Sequence, residues 1–219
     1  MIKNKKFIYI AFILLLMSMI LNFPFPNKNP FGETIFLILN IPLSSVNGFD
    51  YVGITSLFLL IICLYFLVNS LNKYHSRFVV ITIIVAIFIP PFVVSSFQKT
   101  FATGIYAVSY SSDKSSCIFE KISEKTLHGQ CELPLENHSK NDVQFTLEFY
   151  EEYTAKDDLQ MVTLMNNNSP YKVRLKGKES KRVTVETNIN VSKMVNPIES
   201  GGVNVVNIII KSRNINRKL

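Results

Sequence analysis

YVGITSLFLLIICLYFLVNSL, residues 51–71, decides the architecture. It carries no charge, and as a helix it matches the run of about 20 apolar residues that crosses a bilayer core. Residues 7–25 and 78–97 are likewise uncharged and apolar, so three transmembrane helices are expected within residues 1–98. That half of the chain holds eight charged residues: Lys3, Lys5, Lys6, Lys28, Glu33, Asp50, Lys73 and Arg77. Residues 99–219 hold seventeen basic and fourteen acidic residues and read as a separate soluble domain. The net charge of +7 therefore splits into +4 and +3, and neither half concentrates it as a nucleic-acid footprint would. No nucleic-acid partner is expected.

Lysines and arginines in short loops orient membrane spans, because cytoplasmic loops retain them. Lys3, Lys5 and Lys6 precede the first span, and Lys73 and Arg77 fall between the second and third. The loop at residues 26–50 has only Lys28, set against Glu33 and Asp50. The expected protein is a multi-pass cell-membrane protein with a cytoplasmic N-terminus and an extracytoplasmic C-terminal domain. A cleaved signal peptide is the alternative for the first span. Its usual apolar region is only about 7–15 residues, and the NFPFP that follows here offers no small-residue cleavage site. Residues 34–43 (TIFLILNIPL) are apolar but too short to span, and are expected at the outer interface. With no acid, base or histidine within the spans, a proton or ion path is not expected. Cys63 reads as a packing residue.

Beyond residue 99 the pattern becomes short and alternating. Val143, Phe145, Leu147 and Phe149 alternate with Gln144, Thr146 and Glu148, the signature of a strand with one apolar and one wet face. Strands are expected at residues 103–110, 117–121, 128–135, 143–150, 160–165, 171–175, 182–190 and 203–211, separated by turn-rich segments. Seven or eight such strands without a convincing helix predict an antiparallel β-sandwich. The stretches CELPLENHSKNDVQFTLEF (131–149) and VRLKGKESKRVTV (173–185) resemble motifs of bacterial immunoglobulin-like domains. The resemblance covers residues 100–212 at most. It implies an immunoglobulin-like scaffold that binds or spaces a partner and carries no shared catalytic residues.

Cys117 and Cys131 are the only cysteines of this domain and are expected to form a disulfide in an oxidising compartment. Their spacing is shorter than the one that spans an antibody-type core. His128, three residues before Cys131, suggests a metal or nucleophile pair, but a structural metal site usually needs four ligands. The acidic run Glu148, Glu151, Glu152, Asp157 and Asp158 matches no calcium loop, and His138 is expected to be solvated in its turn. Lys172, Arg174, Lys176, Lys178, Lys181 and Arg182 form a basic ridge along one hairpin and are the expected contacts for an anionic partner, lipid headgroup or envelope polymer. There is no Gly-rich phosphate loop, serine elbow, HExxH or paired-carboxylate motif. The expected protein is thus non-enzymatic and needs neither cofactor nor metal. It anchors in the lipid bilayer and displays a domain that binds an envelope partner, or else serves as an accessory subunit of a transporter or channel complex.

Overall fold

The computed structural model describes residues 2–44, 49–151, 161–192 and 200–219. The chain divides into two units, Met1–Ser96 and Phe97–Leu219.

The first unit is helical: α1 (Lys5–Leu21), α2 (Phe31–Ile38), α3 (Tyr51–Ser70) and most of α4 (His75–Thr100). Side-chain caps set two of the starts. The Asn4 carboxamide accepts from the Lys6 N–H, and the Asp50 carboxylate accepts from Val52 and Gly53, supplying partners to amides that a helix leaves free. Among the described residues two helices, α3 and α4, are long and apolar enough to cross a membrane, with mean hydropathies of 2.5 and 2.7. This corrects the expectation of three such helices. The apolar run at residues 7–25 does not stay helical to its end, because α1 stops at Leu21. Pro24 and Pro26 follow, and neither can donate to a preceding turn. The resulting 17-residue helix rises only about 25 Å.

Helices α1 and α3 run antiparallel. Ser18 donates to the Ser56 carbonyl at 2.9 Å and Asn22 to the Ser56 hydroxyl at 2.6 Å, while the Lys3 and Asn4 amides bond the Ser70 carbonyl at the other end. Phe7 meets Phe66 edge-on at 5.3 Å. The apolar segment at residues 34–43 enters α2, whose Phe36 is buried against Leu21 and Val52. Gly32 permits this approach: a Cβ there would lie 2.6 Å from a Val52 methyl and 2.8 Å from the Leu21 carbonyl oxygen. Cys63 is buried, as expected of a packing residue.

Among the described residues the second unit forms two antiparallel sheets. The first has β3 (Thr126–Asn137) at its centre, with β6 (Ser180–Asn190) along one edge. The other edge is shared by β1 (Val108–Tyr110) and β2 (Ser116–Ser123), and β7 (Ser200–Asn204) pairs with β2. Pro134 lies where β2 has ended and β1 has not begun. It has no N–H to give that edge, and its carbonyl accepts from the Ser111 amide instead. The second sheet has the order β5 (Tyr171–Leu175), β4 (Val143–Tyr150), β8 (Asn207–Ser212), β9 (Ile215–Lys218).

Alternate side chains from both sheets meet in one apolar core. Phe119, Leu127, Leu133 and Val185 come from the first sheet, and Phe145, Leu147, Leu175 and Ile210 from the second. Cys117 and Cys131 occupy directly opposed positions on β2 and β3, Cα atoms 4.0 Å apart, and are paired as a disulfide inside this core.

Three strand expectations need revision. Residues 103–110 begin as a 3-10 turn, Gly104–Ala107, and only then become β1. Residues 162–168 form a 3-10 helix where a strand was expected at 160–165, and residue 160 lies outside the described residues. The single strand expected at 203–211 is two strands in different sheets, β7 and β8, because the chain turns at Val205 with φ of 59°. β9 follows as an addition.

Candidate functional site

The basic ridge does not survive folding as one surface. The turn at residues 176–179 carries the chain from the second sheet to the first, so Lys172 and Arg174 sit on β5 while Lys181 and Arg182 sit on β6. Lys176 and Lys178 lie in the turn itself, and all six side chains are exposed. Arg174 is engaged by Asp142 at 2.8 Å and Arg182 by Glu132 at 2.7 Å. The Arg174 guanidinium, helped by the Gly177 amide, holds the Asp142 carboxyl below its usual range.

Tertiary register brings other cations to Lys172 and Arg174. Thr146 on β4 has Lys172 as its partner on one side and Lys211 of β8 on the other. These residues, with Arg174, Gln144 and Arg213, line a groove of about 490 Å³ on the outer face of the second sheet. Four cations meet there. Arg174 shares its charge with Asp142, and Lys211 with Glu148 at 2.6 Å. Lys211 and Arg213 escape sequence reasoning because only the β4–β8 pairing brings Lys211, and Arg213 just after β8, across β4 from β5. The acidic run is likewise divided: Glu148 belongs to this face, the Glu151 carboxylate accepts from the Val162 amide, and Glu152, Asp157 and Asp158 lie outside the described residues.

A second basic concavity, of about 320 Å³, sits where two crossovers between the sheets come together. The turn after β3 and the turn after β5 interlock. Buried Asn137 donates to the carbonyls of Asn141 and Lys176, both at 2.9 Å, and accepts from the Ser139 amide and hydroxyl. The Lys178 amide bonds the Ser139 carbonyl at 2.8 Å. Gly177 packs so close to Lys140 that a Cβ would lie 2.1 Å from its carbonyl oxygen. This clamp sets Lys140 and Lys178 on one rim, and Lys99, in the last turn of α4, completes it. Gln98 ties that turn down by donating to the Tyr106 and Val108 carbonyls.

His138, on the wall of this concavity, is not solvated as the sequence suggests: its side chain is only 11% exposed. Its Nε2 lies 3.0 Å from the Ser109 hydroxyl and its Nδ1 3.2 Å from the Glu136 carboxylate. Strand register makes the group, since Ser109 on β1 faces Glu136 on β3 and His138 follows two residues later. The connectivity is that of an activated serine, nucleophile to base to orienting carboxylate. Ser109 and Glu136, however, do not line the concavity, so a substrate held there meets the imidazole and not the hydroxyl. Burial pushes the His138 pKa down, Glu136 opposes that, and Lys99 and Lys178 add to it.

His128 and Cys131 stand on opposite faces of β3, and His128 bonds the Asn188 side chain at 2.8 Å. Asn137, the first residue of a glycosylation-type triplet with Ser139, is fully buried by the clamp described above.

Comparison of the chain with protein-family models, with curated proteins and with solved structures finds no match.

Proposed function

We propose that this chain is a multi-pass cell-membrane protein that displays an immunoglobulin-like β-sandwich outside the membrane and there binds an anionic envelope partner without catalysis. The observation that carries this reading is the groove in which Lys172, Arg174, Lys211 and Arg213 converge against two carboxylates, Asp142 and Glu148. An excess of cations in one concavity favours an anionic ligand and speeds its arrival.

Strand order supports the scaffold. β2-β3-β6 opposite β5-β4-β8-β9 parallels the two-sheet division of immunoglobulin-like sandwiches. The disulfide between Cys117 and Cys131 suits an oxidising exterior. For the membrane unit, α3 and α4 are proposed as the crossings, with α1 packed antiparallel against α3. That packing puts Lys3 at the same end as Ser70, close in sequence to Lys73 and Arg77. A shared basic end of this kind supports a cytoplasmic N-terminus.

The test is binding of full-length protein in detergent to dextran sulfate, with neutral dextran as control. Lys172→Glu with Arg213→Glu is expected to weaken binding roughly tenfold or more, and added salt to weaken the wild type steeply. Equal binding by the variant, or salt-independent binding, refutes the groove. Co-purification with another polytopic protein, lost when the spans are exchanged, would instead favour an accessory membrane subunit.

A further inference from the structure

We infer that the concavity lined by Lys99, Lys140 and Lys178 is a binding site for the phosphate headgroup of an anionic phospholipid in the leaflet where α4 leaves the membrane. The inference rests on α4 crossing the bilayer, and concerns a different surface from the groove on the second sheet.

Position is the first ground. The uncharged stretch of α4 between Arg77 and Lys99 rises roughly 30 Å, the thickness of a hydrocarbon core. Lys99 is the first charge after that stretch, so a concavity that it lines lies at headgroup level. Phe101, two residues on, is 78% exposed and also lines the site. Its exposed ring offers an apolar surface to the acyl boundary beside the Lys99 charge, as apolar side chains of interfacial segments do.

Chemistry is the second. Three ammonium groups line the site and no carboxylate does. Ser139 and Thr103 add hydroxyls at the same wall. The Glu136 carboxylate is nearby but is turned to His138 Nδ1, and Asp142 is held by Arg174. Lys178 gives one hydrogen to the His138 carbonyl at 2.5 Å, leaving two. A phosphate diester presents acceptors and a negative charge to such a ring, whereas a zwitterionic headgroup also brings a cation that the lysines repel.

Preorganisation is the third. The lysines are not on loose loops, because the Asn137 carboxamide, the Gly177–Lys140 contact and the Lys178–Ser139 bond lock both turns. Little backbone ordering remains for the ligand to impose.

The experiment uses full-length protein in nanodiscs of phosphatidylcholine doped with phosphatidylglycerol, followed by native mass spectrometry of the lipid retained on release. Wild type is expected to keep phosphatidylglycerol in preference to phosphatidylcholine. Lys99→Gln with Lys140→Gln and Lys178→Gln should lower that preference about a hundredfold, at roughly the worth of three lysines near a charged surface. Lys140→Gln alone, a change at an exposed side chain, should lower it several-fold and guards against misfolding of the triple variant. Lys172→Gln with Arg213→Gln should leave it unchanged. A phosphate beside His138 should also raise the imidazole pKa, read by NMR in phosphatidylglycerol against phosphatidylcholine. The neighbours to be weighed are Glu136, Lys99, Lys178 and the Ser109 hydroxyl.

Incorporation without lipid preference, or preference retained in both lysine variants, overturns the site alone. Displacement of the lipid by millimolar inorganic phosphate would assign the site to free phosphate and overturn the lipid. Failure to enter nanodiscs at all overturns the membrane reading of α4 and the inference with it.

Discussion

Arg217 shows how much one residue can organise. Only 5% exposed, it sends its guanidinium from β9 to the carbonyls of Ile105 and Val108, at 2.9 and 2.5 Å, securing the 3-10 turn that leads into β1. Burial pulls its pKa down to about 10, so it stays charged at neutral pH. Arg217→Ala leaves those carbonyls without this donor and should cost about 3 kcal/mol, read by denaturant titration of the full chain in detergent. A loss below about 0.5 kcal/mol would show the bonds to be replaceable by water. His138 makes a pH prediction. Its folded pKa lies below the ordinary value of 6.5, so between the two values the unfolded chain binds more protons. The stability it contributes is complete above pH 6.5 and is lost as pH falls through the folded value. Stability should therefore decline from pH 7 towards pH 5, and His138→Gln should flatten that slope. Neither residue announces its role in sequence: Arg217 sits in a run, NINRKL, that reads as a polar tail, and His138 in a turn of Asn, Ser and Lys.

At the scale of elements, alternation is reliable where a strand has one wet face. β4 and β5 fall on residues 143–150 and 171–175 as the pattern indicates. Pattern misleads where apolar residues continue through a change of sheet. In VNVVNIII apolar residues recur on both sides of Asn204 and Asn207, yet the chain leaves the first sheet at Val205 and enters the second at Asn207. Val206 fixes the crossing, its amide held by the Ser115 hydroxyl and its carbonyl by Tyr110. The cost falls on Val205, a β-branched residue held at φ of 59° and about half exposed. Val205→Gly removes that strain and should stabilise the protein by about 1 kcal/mol, seen as a rise in thermal midpoint. A fall would mean that the exposed valine packs more usefully than its backbone suggests. The Cys117–Cys131 bridge belongs to the same scale. Its loop of 14 residues is worth about 3 kcal/mol on the chain-entropy model, less whatever the β2–β3 hairpin already holds in the unfolded chain.

For the whole molecule, the question is direction. In the orientation proposed from the loop lysines, residues 72–77 face the cytoplasm and everything after α4 lies outside. Tyr74→Cys and Glu186→Cys, both at exposed positions, turn this into an experiment. In intact cells an impermeant thiol reagent should label residue 186 and spare residue 74. The reverse labelling would invert the topology and would move the anionic partner to the cytoplasm.

By itself the sequence determined the division of the chain into an apolar helical half and a β-rich half, and it marked three apolar stretches, of which those at residues 51–71 and 78–97 became helices long enough to cross a membrane. Those are properties of composition and period, carried by stretches of neighbouring residues. Only the tertiary structure decided that the basic ridge is shared between two sheets, and that Lys211 and Arg213 join Lys172 and Arg174. It alone brought Lys99, Lys140 and Lys178 to one rim. These are facts of register and crossover, set by which backbone hydrogen bonds and apolar faces pair across long separations. No local pattern of charge encodes them.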